Sequence, residues 1–290
     1  MRIALAHDGL VHAARLELWT AWTLDPYVLV PLAALAFLYF RGTRLSWRRA
    51  GRGRGVRTWE AACFAGGLAA LFVSLVWPLD ALGEALFSAH MAQHLVLMNL
   101  AAPLLVLGAP LQVMIRALPL GLRRSLAALA AARAWRSAWA AASGLVAATL
   151  LQQAALWTWH TPRGVALALE SEAVHIAMHA SLIAAALLFW TAVLRPRARH
   201  YWGSIAAVLV TLKTSGIVAI LLLLQPGAIY GVYGSSALAW GLAPHEDEQL
   251  GWGLMMVAGS ATYLAAGLAL VARALFPGVT PGRPASARPA

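Results

Sequence analysis

The sequence predicts an all-α, polytopic membrane protein with seven transmembrane helices, the amino terminus outside and the carboxyl terminus inside. Three observations predict it. Of the 290 residues, 61% are hydrophobic and only 11% charged, a balance suited to a chain that uses lipid as its solvent. Hydropathy windows of about 20 residues find seven apolar runs, each of which must be helical because unpaired backbone groups are costly in hydrocarbon. The arginines fall in every second connection, which by the positive-inside rule fixes the orientation and requires an odd number of spans.

Residues 1–25 form an extracytoplasmic interfacial segment. His7, Asp8, His12, Arg15 and Glu17 interrupt the apolar core that a cleavable signal peptide needs, while Trp19 and Trp22 suit the membrane surface. The transmembrane domain is 26–275. Its first span, 26–40, is the shortest, and a loop containing Arg41, Arg44, Arg48, Arg49, Arg52, Arg54 and Arg57 follows it. The second, 59–77, contains Cys63, the only cysteine, so the chain can form neither an internal disulfide nor a thiolate cluster. The third, 88–107, is bent and stopped by Pro103, Gly108 and Pro110. Arg116, Arg123, Arg124, Arg133 and Arg136 follow it. The fourth, 135–156, leads out to Trp157, Trp159 and His160, and the fifth, 174–194, leads in to Arg195, Arg197 and Arg199. The sixth, 203–224, contains Lys213, the only lysine, about ten residues from its inner end and so near mid-bilayer at ~1.5 Å per residue. Ion or proton movement and a structural bond to carbonyls or to Asn99 are both open for it. The seventh, 250–275, precedes a disordered cytoplasmic tail, 276–290, punctuated by Pro277, Pro281, Pro284 and Pro289.

The outer connections hold nearly all the carboxylates and only Arg2, Arg15 and Arg163 as cations. A net charge of +11 would suggest nucleic acid in a soluble protein; here it is a topology signal facing anionic lipid, and no nucleic-acid role is expected. Trp135, Trp139, Trp157, Trp159, Trp190, Trp202 and Trp252 lie near span ends and read as interface anchors, Trp157 and Trp159 also as candidate walls for a site at His160. Gln152 and Gln153 read as interhelical contacts.

The histidines carry the chemistry. Eight of the nine fall on the outer side, leaving only His200 within the basic face. His90 with His94, and His175 with His179, have i, i+4 spacing, which puts both rings of a pair on one helix face, about 5–6 Å apart at Cβ. His160 and His245 share their depth. Imidazole is a common ligand for zinc and copper and binds when neutral, above pH ~6.5, and Met91, Met98 and Met178 add thioethers that favour Cu(I). One HxxxH on a helix is often an interfacial aromatic pair; two pairs and two further histidines at one depth point to a shared metal or cofactor site. Three other readings remain open at this stage. An intramembrane zinc hydrolase would use Asp247 as its base, although neither HMAQH nor HIAMH carries the glutamate of a zincin. A haem protein would take one axial histidine from span three and one from span five. In a pure scaffold the histidines would be incidental.

Four segments taken together, HMAQHLVLMNLAAPLLVLGAP at 90–110, WTWHTP at 157–162, AVHIAMHASLIAAALLFW at 173–190 and DEQLGWGLMMVAG at 247–259, resemble in order the motifs of the CtaG family. Its members are multi-spanning assembly factors linked to caa-type cytochrome c oxidases in bacteria. The resemblance implies a non-enzymatic assembly factor of the plasma membrane, working with cytochrome c oxidase subunits and handling copper for an oxidase centre. It places His90, His94, His160, His175 and His179 on family motifs, and Asp247 with Gln249 in the acidic motif before the last helix; the copper site expected is His90, His94, His175 and His179, with His160, His245 or Asp247 completing or gating it. Glu248 and Trp252 stand where the family tends to carry glutamine and glycine.

Overall fold

The computed structural model describes residue 18 and residues 20–194 and 201–276. Most of the amino-terminal segment with His7, His12 and Trp19, the connection with Arg195, Arg197, Arg199 and His200, and the tail from 277 onward lie outside the described residues. Every regular element among the described residues is helical. Six helices are long and apolar enough to cross a membrane, or seven if the bent pair at Arg133–Ala142 and Leu145–Trp159 is one span.

Span one is a single helix, α1 (Pro26–Ala50), capped by the Asp25 carboxylate on the Tyr27 amide and stopped at Gly51, whose φ is +90°. It runs ten residues past its expected end, so Arg41 to Arg49 ride its last turns rather than a loop, with Arg48 and Arg49 favourably placed at the negative end of the helix dipole. Span two is α2 (Thr58–Leu75), followed after Pro78 by the short α3 (Leu79–Ala85).

Span three begins as α4 (Phe87–Leu95), widens into a π-helical turn at Val96–Ala101 and ends as α5 (Ala102–Leu107). In that turn the Ala102 amide reaches back to the Leu97 carbonyl, five residues away, so the Met98 carbonyl loses its usual helical donor. The Trp190 indole takes it at 2.8 Å. The turn lies just before Pro103, whose ring would otherwise press on a carbonyl four residues back. Pro110 opens α6 (Pro110–Ala117). Next come α7 (Leu120–Ala131) and α8 (Arg133–Ala142), neither with a buried residue, and then α9 (Leu145–Trp159), bent from α8 by 66°. The expected straight fourth span is broken at Ser143 and Gly144, and its first part, α8, carries Arg133, Arg136 and the stacked, half-exposed Trp135 and Trp139, a composition that suits the membrane surface.

After α10 (Pro162–Glu170) come α11 (Glu172–Leu194) and α12 (Tyr201–Leu223), spans five and six. The last span is α13 (Pro244–Leu254), a second π turn at Met255–Gly259, and α14 (Ser260–Leu275). Met98, Leu182, Phe189, Trp190 and Tyr263 centre the apolar core. Trp190 and Trp252 are each 1% exposed, so these two are core residues and not interface anchors. Gln152 donates to the Tyr263 hydroxyl and Gln153 accepts from Thr214, the interhelical contacts expected of them.

Candidate metal centre

At one end of the bundle three helix ends bring five imidazoles together. α4 supplies His90 and His94, the end of α9 supplies His160, and the first turns of α11 supply His175 and His179. The i, i+4 spacing sets the rings of each pair 4.4 and 4.5 Å apart, centre to centre. Across helices, His90 lies 6.0 Å from His175 and 6.2 Å from His179, and His94 lies 5.6 Å from His179 and 5.2 Å from His160. Within this group His90, His94 and His179, all buried, each present a nitrogen within 4.8 Å of the others.

Hydrogen bonds fix the tautomers at one edge. Nδ1 of His160 donates to the Leu156 carbonyl at 2.6 Å, leaving Nε2 as the acceptor that faces Nδ1 of His94 at 3.5 Å. His94 is then protonated on Nδ1, which leaves the lone pair on its Nε2, buried and without a hydrogen-bond partner. Burial pushes the His160 imidazole down to about 4, against the pull of the Leu156 carbonyl. Both nitrogens of His90 and Nε2 of His94, His175 and His179 are buried without a hydrogen-bond partner.

Two carboxylates on α13 hold the surroundings. Asp247 accepts from the amides of Phe87 and Ser88, at 2.7 and 3.1 Å, and from the Ser88 hydroxyl. It therefore caps, from another span, the helix that carries His90 and His94. Gly251 permits that approach, because a Cβ there would lie 2.7 Å from the Phe87 ring. Glu248 accepts from the amides of Ile229 and Tyr230, at 2.8 and 2.7 Å. The Tyr230 hydroxyl donates to the His160 carbonyl at 2.6 Å, and burial, reinforced by Glu248, pushes its pKa up, so it remains a donor. The connection before α13 is thereby tied across the histidine end. Trp252, on the same helix, walls the group with its ring 6.0 Å from His160; Trp157 is half-exposed, and Trp159 turns to Ser181.

On the opposite edge the group opens to a cavity of about 430 Å³, lined by Asp80, Glu84, Glu172, His175 and His179 among apolar side chains of α1, α2 and α11. Asp80 accepts from the Thr23 hydroxyl and, at 3.0 Å, from Gln93. Asp80, His175 and His179 form a second set whose ligand atoms lie within 4.8 Å of one another, so His179 belongs to both sets. Asp80 stands in the sequence as one acid among several, 95 residues from His175, with no spacing signal to join them.

The structure does not bring every expected residue into the group. His245 is exposed on the first turn of α13 and belongs to neither set of ligand atoms found among the described residues. Asp247 has its oxygens taken up by the α4 amides. Met91 and Met178 are fully buried nearby, and Met91 packs with Phe87 and Trp252.

The family described as cytochrome c oxidase caa3 assembly factor (Caa3_CtaG) matches the chain over residues 37–275, most of its length, and the chain belongs to that family. No curated protein and no solved structure matches it.

Proposed function

We propose that this caa3 assembly factor takes up a copper ion on His90, His94, His175 and His179 at the extracytoplasmic face of the bacterial plasma membrane and passes it to cytochrome c oxidase subunits during assembly. The observation that supports this reading most directly is the set of buried ring nitrogens without partners. Each such group costs about 1–3 kcal/mol when left unsatisfied, and several in contact form an expensive arrangement unless something occupies their centre. Neutral imidazoles suit a borderline or soft transition metal and not a hard cation. Copper is the cargo an oxidase centre requires, and the charge asymmetry of the connections supports the extracytoplasmic side.

The two overlapping sets give a route. The cavity mouth with Asp80, Glu84 and Glu172 is acidic and attracts cations. An ion met there by Asp80, His175 and His179 needs only to pivot on His179 to reach His90 and His94. Holding and release without covalent change is a carrier's task and not a catalyst's.

Elemental analysis with absorption and X-ray absorption spectra on freshly purified protein tests the proposal. The expected result is about one copper per chain with imidazole ligation, lost in His90→Ala and His179→Ala variants that also fail to restore oxidase activity in cells. Protein without affinity for copper, or variants that leave oxidase assembly intact, would overturn it. Zinc at full occupancy together with lipid hydrolysis would support a hydrolase instead.

A further inference from the structure

Lys213 is an ionisable group for which the histidine end has no use. On α12 it lies twelve residues after Tyr201 and ten before Leu223, so at ~1.5 Å per residue its Cα is about 18 Å from one end of the helix and about 15 Å from the other. A hydrocarbon core is about 30 Å thick, which puts Lys213 at the midplane, too deep for its stem of about 6 Å to bring the amine into a headgroup layer. The side chain is not turned into the bundle. It is exposed, in one stripe with Ala206, Val210, Ile217 and Ile220, and no partner for its amine is found among the described residues. Asn99, the internal partner that the sequence offered, is buried instead beside Ser215 in a cavity of about 20 Å³ below His94.

We propose that this stripe of α12 is the docking face for a transmembrane helix of another protein, one that carries a single aspartate or glutamate at mid-membrane to pair with Lys213. Charge complementarity selects that partner. An amine facing hydrocarbon is costly, and a carboxylate at the same depth relieves two such costs at once. A second copy of this chain cannot serve: its carboxylates within the described spans, among them Asp25, Glu60, Glu172 and Asp247, sit at helix ends, so self-association would set one amine against another. Gly216 lies one turn from Lys213 with nothing within 4 Å of where its Cβ would be, and a small residue of this kind lets a second backbone come close. The inference rests on depth and charge and does not depend on the copper proposal.

The test uses full-length protein reconstituted in phosphatidylcholine vesicles with dansyl-labelled polyleucine transmembrane peptides whose central residue is Glu, Gln or Leu, read as energy transfer from the protein's tryptophans. The expected result is an apparent affinity about tenfold higher for the Glu peptide than for the Gln or Leu peptide. That preference vanishes in Lys213→Met, persists in Lys213→Arg, and in Lys213→Glu switches to a peptide with central Lys. Helical content by circular dichroism, matched to the unmodified chain, shows that the variants fold. Equal transfer to all three peptides, or a preference that survives Lys213→Met, would overturn the proposal.

Discussion

Two polar clusters share one end of this bundle and treat their lone pairs in opposite ways. Asp247 and Glu248 spend their oxygens on backbone amides of other elements, each within 3.1 Å. The histidines, a few ångströms away, leave five ring nitrogens without a partner. A satisfied buried polar group specifies a fold, whereas an unsatisfied one is a liability unless the site is completed from outside. The difference separates the residues that tie the end of the molecule together from those that, on the copper proposal, would hold the ion, although all of them are acids or imidazoles at the same depth.

Substitutions break the comparison in a definite order. Asp247→Ala removes three hydrogen bonds from the start of α4 and leaves buried donors unpaired; a loss of about 3 kcal/mol or more is expected in denaturant unfolding, with metal affinity falling alongside it. His90→Ala and His179→Ala have the opposite signature: copper affinity falls by about a hundredfold or more while unfolding stability stays level or rises, because an unsatisfied group has been deleted. Were His179→Ala to unfold the protein as Asp247→Ala does, the histidines would be structural and the contrast would fail. Asp80→Asn sharpens the picture at the cavity mouth. A residue on the route changes uptake and release together, so stopped-flow exchange is expected to slow about tenfold in both directions with equilibrium occupancy little altered.

pH gives a smaller effect of known sign. His160 titrates near 6.5 when unfolded and near about 4 when folded, so between those values the unfolded chain binds more protons. Stability is therefore full above the unfolded value and falls as pH drops through the window towards about 4. A titration of unfolding free energy checks this, and a flat profile would contradict the buried, neutral tautomer. His245→Ala, exposed and outside both ligand sets, is expected to change neither copper affinity nor unfolding midpoint.

Much of this is legible in the sequence alone. Hydropathy found the spans, and i, i+4 spacing put each histidine pair on one face. What the sequence hid depended on contacts across the fold. Asp247 was offered by the family resemblance as a residue completing or gating the site, and the hydrogen-bond partners that it has, at Phe87 and Ser88, are 160 and 159 residues away. Asp80 was one outer carboxylate among many until α3 brought it beside His175. Trp252 and Trp190 followed the rule for aromatic residues near span ends, and tertiary packing buried both. The bend at Ser143 and Gly144 was missed because a hydropathy window averages over Arg133 and Arg136.

The wide turn at Val96–Ala101 has a mechanical corollary. One extra residue in a helix advances its phase by about 100°, so the azimuth of His90 and His94 is set independently of the lower half of the span, where Ala102 and Leu105 must meet their neighbours. Removing a single residue there would swing both imidazoles about a quarter-turn off target while leaving every apolar contact below them in place.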